Sequence, residues 1–249
     1  MKTEWDYTHL AESYLKRPDY SPVALSALFD KTRLARNARI CDVGAGVAHL
    51  TLPLVKSGFQ VDAVEPNDEM RKFGIQRTKE YPSAQWFEGT GENTGRPSAT
   101  YDAVTFGSSF NVTDRALALK ETQRILKPQG WFACMWNHRD LEDSVQKRVE
   151  EIIGSSVPEY KYGTRREDQT QVINDSEIFA SVTTIEGRIQ HKIFTKDYVE
   201  AWRSHATLQR QAGPAFKNVV GEIEKYCSTL GPQMTVPYTT RIWVAQVKA

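Results

Sequence analysis

The chain has only three cysteines, Cys41, Cys134 and Cys227, far apart among its 249 residues and with no CxxC pair. No histidine stands at ligand spacing from them, so neither a structural zinc site nor a disulfide framework is expected. The thiols read as small buried hydrophobes in a reducing compartment. Charge of one sign is also missing: 32 Lys and Arg offset 31 Asp and Glu, a formal net charge of +1. No overall field therefore marks a nucleic acid or a membrane surface as partner. No apolar run approaches bilayer-spanning length, and the first ten residues lack the apolar stretch of a secretory signal. A soluble, cytoplasmic protein without metal is the expectation, and the length suits one α/β domain over residues 1–249.

What is present is alternation. Between Arg39 and Arg124, strand-like runs alternate with helix-period segments, the pattern of βαβ units on a parallel sheet. Strands are expected at Ile40–Val43, Gln60–Glu65, Ala84–Phe87, Tyr101–Phe106 and Trp131–Trp136. Helices are expected from Ala48 to Lys56, after the Asn67 cap, and from Asp114 to Lys127. Beyond Asn137 the alternation loosens. Leu141, Val145, Val149 and Ile152–Ile153 repeat at helical spacing, whereas Pro158–Gln171 is polar and aromatic and reads as a surface loop. Residues 137–178 are taken as an insert near the strand ends. A sixth strand at Val182–Ile193, helices at Asp197–Gln211 and Ala215–Leu230, and a last strand at Val236–Val247 complete the chain.

The chemistry gathers at the strand ends. Asp42-Val43-Gly44-Ala45-Gly46 closes the first strand just before a helix, where glycine lets backbone approach a ligand. Glu65 ends the second strand, where a doubly wound fold offers a carboxylate to a ribose diol. A dinucleotide pyrophosphate wants G-x-G-x-x-G, and the third glycine position is His49. Asp42 would repel a pyrophosphate, yet it can accept a hydrogen bond from the ammonium of an amino-acid group. These features favour S-adenosylmethionine over NAD.

Residues 40–50 and 61–70, with Glu65-Pro66-Asn67-Asp68-Glu69-Met70, resemble the first two motifs of class I methyltransferases of the small-molecule subgroup. The likeness continues through Gly89–Glu92 and Tyr101–Phe110. Upstream, Tyr14-Leu15-Lys16-Arg17-Pro18-Asp19-Tyr20 looks like the Y-x-x-x-R-P-x-Y segment of trans-aconitate methyltransferase relatives, in which it covers the cofactor. The resemblance implies a Rossmann-like, doubly wound seven-stranded α/β sheet, mostly parallel with an antiparallel C-terminal strand, and an N-terminal cap over residues 1–30. It implies that Gly44, Ala45 and Gly46 line the methionine moiety and that Glu65 binds the ribose. Pro66 and Met70 would flank the adenine, with Gly91 and Glu92 near its amino edge. Tyr14 and Arg17 would face the methionine carboxylate, and Gly107 and Ser108 join the cofactor set with Asp42. Asn111 stands where this subgroup often has histidine.

For the acceptor side, His138 and His205 are the candidate general bases, although a lone histidine is more often structural. Tyr160, Tyr162, Arg165 and Arg166 can stack on and hydrogen-bond a carboxylated or phosphorylated acceptor. Alternatively, Arg165 and Arg166 are neutralised by the adjacent Glu167 and Asp168. Trp202 and Trp243 either wall the pocket or belong to the core. The chain lacks an [N/D]-P-P-[Y/F] motif and a Pro-Cys nucleophile, which argues against a nucleic-acid substrate. O-methylation of a sugar or carboxylate metabolite is the leading expectation. N-methylation of a small amine, a nicotinamide-dependent oxidoreductase and a non-catalytic cofactor-binding module are the alternatives.

Overall fold

A computed structural model describes residues 11–248. Seven strands form one sheet in the order β3-β2-β1-β4-β5-β7-β6. They are β1 (Arg39–Val43), β2 (Gln60–Val64), β3 (Ala84–Phe87), β4 (Tyr101–Gly107), β5 (Leu126–Arg139), β6 (Thr183–Phe194) and β7 (Gln233–Gln246). The first five are parallel neighbours, and β7 runs antiparallel between β5 and β6. The chain leaves β1 toward β2 and β3, then returns to β4 on the other side of β1. That reversal opens a crevice at the carboxyl ends of β1 and β4, where doubly wound sheets hold their ligands.

Alternation along the inner strands divides their side chains between two cores. Phe132, Cys134 and Trp136 of β5 face α5 (Arg115–Ile125) and α7 (Thr170–Asp175), together with Trp243 and Ala245 of β7. Phe106, Phe110 and Phe132 meet there edge to face or tilted, with ring centroids 5.3–5.8 Å apart. Ala133 and Met135, with Ile242 and Val244, face α2 (Pro22–Thr32) and α3 (Thr51–Lys56) on the other side. The Trp243 indole donates to Asp168 at 3.0 Å and is 1% exposed, so this tryptophan belongs to the core and not to a pocket wall.

A third cluster sits beyond the strand ends. It joins α6 (Ser144–Ser156), α8 (Thr195–Arg203), α9 (Ala206–Ala212) and α10 (Phe216–Cys227) through Val149, Ile153, Trp202, Leu208 and Ile223. It rests on Ile193, Val236 and Tyr238 of the long β6–β7 pair. Of the segment 137–178, α6 and the residues up to Tyr160 join a helical layer shared with residues 195–227, whereas α7 packs on the sheet's core.

Several element boundaries differ from the sequence expectation, each for a local reason. The helix after β1 starts at Thr51, not Ala48, because Gly44, Gly46 and Ala48 all take positive φ. Leu141 lies outside α6, which begins after the Asp143 side chain caps Val145 and Gln146. β5 starts five residues early, at Leu126, with Gln129 left-handed in the Pro-Gln-Gly stretch. The single helix expected over 197–211 is two: α8 ends at Arg203, and His205 caps a new helix by accepting the Leu208 N–H at Nδ1, 3.2 Å away. Among the described residues no helix is long and apolar enough to cross a membrane.

Candidate active site

The turn after β1 is held open by hydrogen bonds from its neighbour strand. The N–H groups of Gly44 and Ala45 donate to the Val64 carbonyl at 2.8 and 3.0 Å. Gly44 has φ +66°, and a Cβ there would lie 2.4 Å from Cβ of Ser109. Gly46, at φ +55°, has nothing within 4 Å of an added Cβ. One glycine is thus required by packing and the other faces open space. Glu65, just past β2, accepts the Gly46 N–H at Oε2 and the Asn67 N–H at Oε1, both at 2.9 Å. Burial pushes its carboxyl up, against the pull of those two N–H groups. Asn67 in turn caps α4 (Asp68–Thr78).

Asp42 is fully buried beneath the turn, where its carboxylate accepts the Thr51 hydroxyl at 2.7 Å and the Thr105 hydroxyl at 3.0 Å. Burial outweighs these bonds and raises its pKa to about 6. At the end of β4, Ser108 is left-handed at φ 59° and shares a 2.9 Å hydrogen bond with the Tyr20 hydroxyl. Asn111 accepts the Trp136 indole N–H at 2.9 Å.

Residues 15–21 follow α1 (Ala11–Tyr14) and cross the strand ends beside this turn. Asn137 donates to the carbonyls of Pro18 and Asp19 at 3.0 and 3.2 Å, and the Ser21 N–H donates to the Thr240 hydroxyl at 2.8 Å. His191 meets the Lys16 carbonyl at 3.1 Å. Between the segment, the turn and the helical layer lies a cavity of about 780 Å³. The part of the expected cap at residues 1–10 falls outside the described residues.

Every cofactor-side residue singled out in the sequence lines that cavity: Tyr14, Arg17, Asp42, Gly44, Ala45, Gly46, Glu65, Pro66, Met70, Gly91, Glu92, Gly107 and Ser108. On the acceptor side it is lined by His138, His205, Asn111, Arg165 and Trp202. Tyr160 is not brought to the wall. It packs in the helical cluster, 5.3 Å from the ring of Tyr162, and its buried hydroxyl has no partner.

Pro158–Gln171 is largely an exposed loop as expected, with one 3-10 turn at Thr164–Arg166, but it is anchored from within. Gln169 is fully buried and donates to the carbonyls of Thr164 and Glu167 at 3.0 and 2.8 Å, which folds the segment inward. Arg165 and Arg166 point to the cavity, and neither forms an ion pair with Glu167 or Asp168. Arg139, at the end of β5, is ion-paired to Glu150 at 2.9 Å and lies 4.5 Å over Trp202. His138 keeps a buried Nε2 with no hydrogen-bond partner. Burial and the cations Arg166, Arg241 and Arg165 hold its pKa down to about 4. His205 stacks on Trp202 with ring centres 4.9 Å apart, and its pKa is also pushed down by burial and neighbouring arginines.

Sequence reasoning overlooked Arg139, Tyr198 and Tyr238 as wall residues. Two signals were available: Arg139 directly follows His138 at a strand end, and Tyr198 precedes Trp202 by one helical turn. Tyr238 is different, because it reaches the site only through its pairing opposite Arg139 across β5 and β7.

Residues 41–134 match a family model described as methyltransferase domain. An uncharacterized methyltransferase of Mycobacterium tuberculosis is 34% identical over 138 residues, 55% of this chain and 54% of the relative. A ubiquinone/menaquinone biosynthesis C-methyltransferase of Rhodopseudomonas palustris is 34% identical over 104 residues, 39% of this chain and 41% of its own. The chain spans about half the length of the curated relatives it matches. Among solved structures, Haemonchus contortus phosphoethanolamine N-methyltransferase 2 in complex with S-adenosyl-L-methionine is similar at a TM-score of 0.55 and 14% identity, over 96% of this chain and 56% of that one. Residues 41–134 thus match a methyltransferase domain, set in a seven-stranded sheet whose fold is shared with that N-methyltransferase structure.

Proposed function

We propose that this chain transfers a methyl group from S-adenosylmethionine to a small-molecule acceptor, with an oxygen of a sugar or carboxylate metabolite as the receiving atom. The observation that carries the cofactor assignment is Glu65. Two backbone N–H groups fix its carboxylate at the cavity edge, each oxygen keeps a second acceptor position, and the Gly46 turn beside it is open. That arrangement fits a ribose diol beside a backbone cradle. Asp42 adds an acceptor near the turn, and Arg17, whose guanidinium lies 3.6 Å over the Tyr14 ring, supplies a cation for a carboxylate.

When bound, the cofactor supplies an activated methyl carbon on a sulfonium whose departure as a thioether needs no acid. The chain's own task is then to align the receiving oxygen and to take its proton. His138 is the candidate for the second role: the residue lines the cavity and its buried Nε2 has no partner, while burial and the neighbouring arginines hold its pKa down to about 4, which keeps the ring neutral but makes it a weak base until an anion offsets those arginines. His205 is not. The Leu208 N–H occupies Nδ1, which assigns the proton of the neutral ring to Nε2, so His205 offers a donor to the cavity.

The family match ends at Cys134, before His138, Arg139, Arg165 and His205. C-methylation by the Rhodopseudomonas palustris relative therefore says nothing of the acceptor here. Calorimetric titration with S-adenosylhomocysteine and, separately, NADH tests the reading. Binding of S-adenosylhomocysteine, followed by transfer of labelled methyl to an acceptor in a metabolite screen, is expected. Binding of NADH alone would overturn it.

A further inference from the structure

Charge on the acceptor side of the cavity does not balance. Arg17, Arg139, Arg165 and Arg166 converge there, close enough that each of the other three lowers the proton affinity of Arg165. Among the described residues only Arg139 is ion-paired to a carboxylate, that of Glu150, whose charge also reaches Arg166 at longer range. Arg166 donates to the Arg139 carbonyl at 3.0 Å and lies 4.6 Å over the Tyr162 ring. The polar neighbour of Arg165 is His205 Nε2, a marginal 3.5 Å away, and that nitrogen is itself a donor. Among the described residues no carboxylate pairs with Arg17, Arg165 or Arg166.

Arg165 and Arg166 are half-buried, and a partly desolvated guanidinium without a counter-ion is unfavourable unless a ligand supplies the charge. The backbone that carries these two arginines is also fixed in advance. Buried Gln169 ties down the carbonyls on either side of them, and Arg115 donates to the Gln169 side chain at 3.3 Å. Arg17 is taken up by the methionine carboxylate in the proposed function, on which this inference rests. That leaves two cations for a second anion.

We propose that Arg165 and Arg166 bind an oxyanion of the methyl acceptor, so that the acceptor is a carboxylated or phosphorylated small molecule and not a neutral sugar or an amine. The bound oxyanion is a handle and not the nucleophile, because a guanidinium fork occupies the lone pairs that attack would need. The acceptor consequently carries at least two functional groups: an anion held at Arg165–Arg166 and a separate oxygen presented to His138.

The test uses the full chain loaded with S-adenosylhomocysteine and titrated with citrate, glycerol 3-phosphate and neutral glycerol. Either or both anions should bind and glycerol should not, and the stronger of the two identifies the oxyanion. Arg165→Met and Arg166→Met should each weaken the anion by about 10 to 100-fold, the size of a lost charge-assisted bond. They should leave the affinity for S-adenosylhomocysteine unchanged, and Arg165→Lys should fall between. Thermal unfolding gives an independent readout: removing an uncompensated, half-buried charge should raise the Tm of Arg165→Met, whereas a structural arginine would lower it. Citrate should raise the Tm of the wild type but not of the variant. The proposal is overturned if neither anion binds, or if Arg165→Met costs S-adenosylhomocysteine affinity as much as anion affinity. Failure of S-adenosylhomocysteine to bind the wild type defeats the methyltransferase reading instead, and titrating the free protein then judges the arginines by the same criteria.

Discussion

His49 Nε2 lies 2.7 Å from the carbonyl oxygen of Tyr14, so the residue that replaces the third glycine of a dinucleotide turn ties the N-terminal segment to the cofactor side of the fold. Its Nδ1 meets Asp19 at 2.7 Å, and Arg77 reaches the same carboxylate at 3.3 Å. One imidazole therefore pins the segment at two points across the cavity mouth. His49→Ala should release residues 14–19 while leaving the cores intact. Hydrogen exchange of this segment should speed up in the free variant and slow again when S-adenosylhomocysteine is added. Exchange rates identical to the wild type in both states would remove the latch role.

Glu65→Ala should lower S-adenosylhomocysteine affinity by about 10 to 100-fold, because a charge-assisted contact to a diol contributes about 1.5–3 kcal/mol. Two N–H groups, of Gly46 and Asn67, also lose their acceptor. A modest fall in Tm should accompany the affinity loss. Calorimetry on the folded variant checks the first point, and an unchanged dissociation constant defeats the ribose assignment.

Gly44→Ala and Gly46→Ala separate packing from ligand binding. Both residues sit at positive φ, which costs a substituted residue about 1–2 kcal/mol. Only at Gly44 does the new methyl collide, 2.4 Å from Ser109 Cβ. Gly44→Ala should therefore lose markedly more stability in chemical denaturation. Gly46→Ala should keep most of its stability and lose cofactor affinity, since its methyl projects into the space the ligand takes.

Asp42 should make cofactor binding pH-dependent. Its folded pKa of about 6 lies above the ordinary 3.8, so the free protein holds it protonated in a range where the unfolded chain has ionised it. The group's stabilising contribution is therefore full below pH 3.8 and is lost as pH rises to about 6. A ligand ammonium favours the ionised form, so S-adenosylhomocysteine should bind more tightly as pH rises through 6. Asp42→Asn should flatten that dependence. Titrations between pH 5 and 7.5 on both proteins check this, and parallel profiles count against the assignment.

His138 has the opposite sign. Its folded pKa of about 4 lies below the ordinary 6.5, so the stability it contributes is present above 6.5 and is lost as pH falls toward 4. The ring therefore stays neutral and able to accept a proton throughout pH 5–8. His138→Gln should lower kcat by about 10² to 10⁴-fold with a hydroxyl acceptor, with KM little changed. A variant that keeps its kcat shows that the reaction needs no base at this position.

Short-range patterning made the half of the cavity around the β1 turn legible. The Asp42–Gly46 turn, Glu65 after β2 and the Asn67 cap are each set by a few adjacent residues, and the structure places them together as expected. The β3 bounds, Ala84–Phe87, follow from local composition alone. Tertiary structure decided the rest. Residues 158–171 look like a solvated, self-neutralised loop, but buried Gln169 anchors them from within and directs Asp168 to the Trp243 indole, leaving Arg165 and Arg166 for the cavity. Trp202 and Trp243 are alike in sequence pattern, yet only Trp202 walls the cavity, because one lies on the helical layer beyond the strand ends and the other inside the sheet's core. His205 breaks a helix whose apolar periodicity is uninterrupted, since its ring serves better as a cap stacked on Trp202 than as an interior residue. Backbone turns and caps are local and are encoded nearby. The charge balance of a pocket is a sum over groups brought together by distant segments, and it exists only once the chain has folded.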